Sequence, residues 1–202
     1  MKPHKIFSRI LLASLLLVGA QLLAQAVVGD SGQADSTARN RILVIMVEKD
    51  ADGANAEADY LQVQATVSEN SVIEILLQNG FDVIDPGLVR QQLKLSKLSV
   101  ILHGDEHNAA DVAREFGARM MILGKASVLV ATGTNLYGMK SCQATLQARA
   151  IDVNTGSVVA TASATSAKPH VDAMAGSTLA IQEAAQKVAK ELITKIRKES
   201  RK

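Results

Sequence analysis

The chain has 202 residues, a length that allows one or two domains. Its 22 basic and 20 acidic residues nearly balance, which argues against a nucleic-acid-binding protein, since such proteins are clearly basic. Aromatic residues make up 2% of the chain and tryptophan is absent, so platforms for stacking bases or sugars are scarce.

The first 26 residues have the features of a secretory signal peptide. Basic residues precede an apolar run, and Ala24-Gln25-Ala26 fits the small-x-small pattern of a cleavage site. The alternative is a retained membrane anchor, because positions 10–29 carry no charge and about 20 residues can span a bilayer. No cysteine lies near the cleavage site, which argues against a lipid anchor. We therefore predict a periplasmic protein, with peripheral outer-membrane association as an alternative.

The rest of the chain is predicted to form a leader and one domain. Residues 27–40 are polar and rich in small side chains, which indicates a flexible leader, and 41–202 shows no repeat and no linker. Cys142 is the only cysteine, so an exported form cannot make an internal disulfide. We expect Cys142 to be a buried thiol, with an intermolecular disulfide as the alternative.

Hydrophobic periodicity and Gly or Pro punctuation predict the elements of the first half of this domain. These are, in chain order, a strand at 41–47, a helix at 57–79, a strand at 81–86, a helix at 88–95, a helix from 107 or 108 to 117, and a strand at 119–132. Residues 97–105 give no clear pattern.

The stretch QATLQARAIDVNTGSVVATASATSA, residues 143–167, alternates polar and small apolar side chains around an Asp-x-x-Thr-Gly turn. It predicts an antiparallel hairpin with one packed face and one solvated face. On the second strand the packed face is assigned to Val158, Ala160, Ala162 and Ala164. Such small side chains let a helix approach closely, and the last predicted helix, 171–199, is the candidate.

This order of elements predicts an α/β (α+β) fold with a single mixed β-sheet. The sheet contains an antiparallel meander, is packed against helices, and is followed by a long C-terminal helix. The basic end of that helix is expected to complement the helix dipole, with an anionic surface as the alternative.

No catalytic constellation is evident. Gly124-Lys125-Ala126 lacks the earlier glycine and the following Ser or Thr of a phosphate-binding loop, so Gly124 is interpreted as a bulge or a close packing point. No Gly-x-Ser-x-Gly sequence occurs. We therefore assign no catalytic and no cofactor-binding residues, and we expect a protein that is not an enzyme.

His103 and His107 have the spacing of two metal ligands on one helix face. Gly104 separates them and no third ligand follows at a suitable distance, so a solvated loop with a helix cap is expected and no metal ligands are assigned. A small periplasmic metal-binding protein or enzyme that uses these histidines is the alternative.

The solvated face of the hairpin carries amides and hydroxyls and almost no charge, which is unusual for a plain solvent-exposed sheet. Such a surface suits a partner strand or subunit. A plain solvated sheet is the alternative. The candidate partner-binding residues are Gln143, Thr145, Gln147, Arg149, Thr161 and Ser163.

The segments GARMMILGKASV (117–128), QATLQARAIDVNTGSVVATASA (143–164) and NGFDVIDP (79–86), with the Ala-rich last helix, resemble bacterial envelope-assembly proteins. These are the flagellar assembly protein T family, the related curli-secretion channel family, and the penicillin-binding-protein activator lipoproteins that share their fold. The resemblance covers about 41–196 and rests on turns and packing positions.

The chain also departs from these families. It lacks the lipid-bearing cysteine that is usual in the curli channel and the activators, the membrane-spanning hairpins of the channel, and the extra domains of the flagellar protein.

The resemblance implies a non-enzymatic periplasmic assembly or scaffold protein. It would act through protein–protein contacts in flagellar or outer-membrane assembly, binding an envelope protein partner or further copies of itself, and no nucleic acid. A regulator of cell-wall synthases is the alternative.

Overall fold

The computed structural model describes residues 41–49, 66–103, 105–134 and 137–199. The predicted signal peptide and leader lie outside the described residues, as do the first turns of the helix predicted at 57–79.

Strands and helices are mixed up to β3, with three successive helices between β2 and β3, and the chain then forms a meander closed by a long helix. They are β1 Arg41–Lys49, α1 Val67–Gln78, β2 Asp82–Val83, α2 Pro86–Gln92, α3 Leu95–Leu102, α4 Glu106–Glu115, β3 Met120–Thr134, β4 Lys140–Asp152, β5 Val158–His170 and α5 Ala173–Glu199. The strands form one sheet in the order β2-β1-β3-β4-β5. β1 pairs in parallel with β2 and β3, whereas β3, β4 and β5 are antiparallel. The predicted mixed sheet with a meander is confirmed.

Each face of the sheet has its own apolar core. On one face, β1 residues such as Val44 and Met46 join α1, α5 and the alanines of β4 and β5. On the other face, Leu43 and Ile45 pack with α2, α3 and α4. Because β1 is buried on both faces, its sequence is a continuous apolar run rather than an alternating one.

The alanine face of the hairpin packs against the last helix, as predicted. Ala148 and Ala162, which are paired across β4 and β5, are buried with Ala184 and Val188 of α5. The assignment of Val158 to this face is wrong. The register shifts beside Ala150, which leaves Val158 40% exposed and packs Val159 against the core instead. The extra residue of a β-bulge changes the alternation at that point.

Between β1 and β3, one prediction needs correction and one segment without a prediction receives an assignment. The strand predicted at 81–86 has only Asp82 and Val83, because Asp85 already caps α2 and Pro86 occupies its first position. The ambiguous segment 97–105 belongs largely to α3, which packs Leu98 and Leu102 into the core beneath β1. No helix within the described ranges is both long and apolar enough to cross a membrane.

Candidate functional site

The polar side of the hairpin continues across β3, and its side chains form rows that cross the three strands. We call this surface the hairpin face. Its rows are Leu123–Arg149–Thr161, Lys125–Gln147–Ser163, Ser127–Thr145–Thr165 and Leu129–Gln143–Ala167. These rows contain two cationic residues, Lys125 and Arg149, and no acidic residue. Their remaining polar side chains are amides and hydroxyls.

All six residues predicted to bind a partner lie on the hairpin face, and their environments differ. Gln143, Gln147, Thr161 and Ser163 are exposed, while Thr145 is half-buried. The hydroxyls of Thr145 and Thr165 lie 3.3 Å apart across the strands. This spacing is that of a hydrogen bond between neighbouring threonines, which orders the middle of the face.

Among the predicted residues, Arg149 already forms an ion pair within the domain. Its Nη1 donates to Glu106 Oε1 at 2.6 Å, and the side chain is 24% exposed. Glu106 lies in the first turn of α4, so this ion pair ties the helix to the hairpin. The guanidinium therefore forms the rim of the hairpin face.

An open depression of about 670 Å³ lies where α3 ends and the hairpin face begins. Gln147, Arg149, Thr161 and Ser163 contribute its polar wall. Leu102 of α3 and Leu123 of β3 contribute apolar surface. The lining thus combines a small apolar floor with amide, hydroxyl and charged groups of both signs, a mixture that suits a protein segment.

Sequence reasoning missed several residues of this depression. Leu102 belongs to α3, a helix that the periodicity did not reveal, and Leu123 sits within an apolar run that gives no sign of which face it occupies. Glu191 and Lys195 come from α5 and reach the rim beside β5. Lys195 Nζ donates to the Thr161 carbonyl at 2.6 Å and to Glu191 Oε1 at 2.6 Å. Its position on the polar side of an amphipathic helix was the only available signal.

His103 and His107 do not form a metal site with other side chains in the described ranges, where no three His, Cys, Asp or Glu residues come together. His103 Nδ1 lies 2.7 Å from the Ser99 carbonyl. Between the histidines, Asp105 caps α4 by accepting from the Asn108 amide at 2.9 Å. That hydrogen bond lowers the pKa of Asp105 below its usual value. The interpretation as a helix cap is confirmed.

The remaining predicted positions have structural roles. A side chain at Gly124 would lie 2.6 Å from Met46 Cε and 2.8 Å from the Gln147 carbonyl, which confirms a close packing point. Cys142 is fully buried and reduced, as expected of a structural thiol. At the turn, Asp152 Oδ1 accepts from the amides of Asn154 and Thr155 at 2.9 and 3.0 Å.

The described part of the basic end of α5 makes tertiary contacts, which neither sequence interpretation anticipated. Arg197 donates to the Asn79 carbonyl at 2.9 Å, and its guanidinium lies 5.9 Å from the centre of the Phe81 ring. These contacts fasten α5 to the turn after α1.

Residues 41–193 match the family of the TP0693-like lipoproteins, over their C-terminal domain. The chain belongs to this family. The match spans β1 to the last turns of α5 and therefore includes the whole hairpin face. It makes the chain a member of an envelope-associated lipoprotein family, and it does not support the finer resemblance to flagellar or curli-secretion proteins. No curated protein matches the chain in sequence.

Several solved bacterial structures have a similar fold at low sequence identity. A lipoprotein from Neisseria meningitidis is 13% identical, with a TM-score of 0.45 over 80% of this chain and 97% of that chain. The PelC dodecamer from Paraburkholderia phytofirmans is 17% identical, with a TM-score of 0.41 over 77% and 89%. The LpoB C-terminal domain from Escherichia coli is 20% identical, with a TM-score of 0.36 over 72% and 92%. These similarities carry no argument about function.

Cys142 is buried within the matched domain and is not placed for lipid attachment. The single cysteine, Cys142, lies within β4, and its Sγ donates to the Ala173 carbonyl at 3.4 Å. A thiol in that position is enclosed by α5 and could not carry an acyl chain without opening the core.

Proposed function

We propose that the protein is a non-enzymatic component of the cell envelope that binds a protein partner through the hairpin face. The observation that carries this proposal is the uncovered face itself. Helices α2 to α4 cover the sheet around β1 and the near ends of β3 and β4, and the rest of the hairpin is left open. Exposed amides and hydroxyls there can pair with a partner's backbone or side chains without the cost of burying a charge.

The partner we favour is a cell-wall synthase, which would make this protein a regulator of those enzymes. The support is the lipoprotein family to which the chain belongs. Among the groups that the sequence resembles, the penicillin-binding-protein activators are usually lipoproteins, and the family match does not support the flagellar or curli-secretion assignments. We place the protein in the periplasm, where such a partner is accessible.

The test is site-specific photocrosslinking in cells. A crosslinking residue at Gln147, in the centre of the hairpin face, should capture the partner, and one at Glu74, on the exposed side of α1, should not. Recovery of a cell-wall synthase from the first position alone supports both parts of the proposal. Recovery of flagellar or outer-membrane assembly components would replace the synthase assignment. Equal recovery from both positions would overturn the role of the hairpin face.

A pair of variants links the captured partner to this surface. Thr145→Glu with Gln147→Glu places two carboxylates on β4 without touching the core, and we expect capture to fall at least tenfold. Glu74→Lys is the matched surface change and should leave capture unchanged. Circular dichroism of each variant confirms that the fold is intact. Undiminished capture by the double variant would count against the hairpin face.

A further inference from the structure

The outer edge of β5 is the other open feature of the sheet; it consists of backbone groups, whereas the hairpin face consists of side chains. β5 pairs only with β4 within the described sheet. In an antiparallel pair, residues alternate between those that bond the neighbouring strand and those whose amide and carbonyl point away from it. Every second residue of β5 therefore directs its backbone toward the free edge.

Two observations identify which residues these are. Lys195 Nζ reaches the Thr161 carbonyl from outside the sheet, at 2.6 Å, which places Thr161 among the outward residues. Pro169, eight positions later in the same alternation, has no amide to offer and is tolerated where no ladder bond to β4 is required. The outward set is Thr161, Ser163, Thr165, Ala167 and Pro169.

The two ends of this edge are thus blocked and its middle is open. Lysines and prolines are the usual means by which proteins protect an edge strand, and here Lys195 and Pro169 supply them. In the described ranges, no hydrogen bond from outside the hairpin reaches the backbone of Ser163, Thr165 or Ala167. The open middle is a short template for another strand.

We propose that a second copy of this chain occupies this edge, with the two β5 strands antiparallel about a two-fold axis at Thr165. Thr165 then pairs with Thr165 of the second copy, and Ser163 pairs with its Ala167. The sheet becomes continuous through both copies, and the two α5 helices lie side by side on the same face.

The backbone groups select this register. Thr161 falls opposite the second copy's Pro169, so the Thr161 amide donates to the proline carbonyl. The Thr161 carbonyl finds no amide on Pro169, and Lys195 already satisfies it. Shifting the axis one residue toward Ser166 would instead set the Ser163 carbonyl opposite Pro169, where no donor is available.

The charges on α5 show the same two-fold complementarity. Glu183, Lys187, Glu191 and Lys195 follow each other at intervals of four and alternate in sign. Glu183 forms an ion pair with Lys168 of β5, and Lys195 contacts Thr161, so this stripe runs along the free edge. Its centre, between Lys187 and Glu191, lies over β5 close to Thr165.

When this row of four charges is read in the opposite direction, positive and negative positions are exchanged. About the proposed axis, Lys187 faces Glu191 of the second copy, and Glu183 faces its Lys195. Each charge therefore meets an opposite charge. The four side chains are between 35% and 52% exposed, which leaves them able to reach across.

The first experiment measures mass by sedimentation as a function of concentration. We expect the full chain to shift from one copy to two, and Thr165→Pro to remain a single copy, because it removes an outward amide and no bond to β4. Leu129→Ser, an exposed change on the hairpin face, is the control and should still dimerise. A chain that stays monomeric at all concentrations overturns the proposal.

Cysteine crosslinking tests the register, in a Cys142→Ser background. Paired residues across an antiparallel edge lie about 5.5 Å apart at their Cα atoms, within the range of a disulfide. Thr165→Cys should therefore form a disulfide-linked dimer, while Ser163→Cys alone should not. Combining Ser163→Cys with Ala167→Cys should restore crosslinking. Efficient crosslinking of Ser163→Cys alone would refute this register.

Charge exchange tests the axis on α5. Lys187→Glu and Glu191→Lys each place like charges opposite each other, and each should weaken self-association several-fold. A mixture of the two variants restores opposite charges at both contacts and should form the mixed dimer preferentially. Equal self-association of the single variants and of the mixture would contradict the apposition of the two helices. All three tests are independent of partner capture by the hairpin face.

Discussion

Glu69, in the first turn of α1, and Arg90, near the end of α2, form an ion pair that is withdrawn from water. Their side chains are 0% and 4% exposed. Because α1 packs on one face of the sheet and α2 on the other, the pair joins the two helical layers. The edge strand β2, which lies near the pair, has only two residues. Few backbone hydrogen bonds therefore fasten this edge of the sheet, and the ion pair adds a connection there.

We predict that Arg90→Met destabilises the domain by about 3–5 kcal/mol, since it leaves a buried carboxylate without its guanidinium. The double variant Glu69→Leu/Arg90→Met should recover most of this loss, because it removes both charges. Urea unfolding of the single and double variants measures the two values. If the double variant is less stable than Arg90→Met, the interpretation of the pair as mutually dependent charges fails.

Gly124 is the point where β3 comes closest to its neighbours. An added Cβ would meet Met46 and the carbonyl of Gln147, and the carbonyl belongs to the sheet backbone and cannot move aside. We expect Gly124→Ala to cost about 1–3 kcal/mol through overpacking. Gly133→Ala, on the same strand with open space around it, is the control and should change stability by less than about 0.5 kcal/mol. Equal effects at both glycines would show that the contact does not matter.

Local patterns predicted those parts of the fold that local forces determine. The continuous apolar run of β1, the alternation of β4 and β5 and the helical spacing in α5 each fix an element and the face that it buries. The hairpin face followed from the same alternation, because residues at intervals of two on one strand must share a side.

The elements that escaped prediction depend on distant contacts. The helix α3 is short and ambiguous on its own, and it is stabilised by packing Leu98 beneath β1. The bulge at Val158 arises where the hairpin register adjusts to the turn. The engagement of Arg149 by Glu106, across 43 positions, could not be anticipated because nothing in the sequence states which acidic residue the fold brings to an arginine.

At Gly176, helix propensity and packing have opposite effects on the stability of an alanine variant. Within α5, alanine is favoured over glycine by roughly 1 kcal/mol, yet a Cβ at this position would lie 2.7 Å from Cys142 Sγ and 2.8 Å from His170 Cβ. We expect the steric term to dominate, so that Gly176→Ala lowers the thermal midpoint. Gly176→Ala combined with Cys142→Ala should recover only part of the loss, since His170 remains in place. A raised midpoint for the single variant would mean that α5 shifts freely at its start.

Glu183 should make the stability of the domain sensitive to acid. Hydrogen bonds from Lys168, Lys187 and Ser166, in that order of importance, lower its pKa to about 2 from 4.5. A carboxyl whose pKa is lower in the folded state stabilises that state above its unfolded pKa. This contribution is therefore complete above about pH 4.5 and is lost as the pH falls toward 2.

We predict that Glu183→Gln is less stable than the parent chain at pH 7 and that this difference disappears near pH 2. Lys168→Met should raise the pKa of Glu183 toward its usual value more than Lys187→Met does, because Lys168 provides the largest effect. Carboxyl titration by NMR gives the pKa values, and thermal unfolding between pH 2 and pH 7 gives the stability difference. A difference that stays constant across that range would show that Glu183 has the same pKa in the folded and unfolded chain.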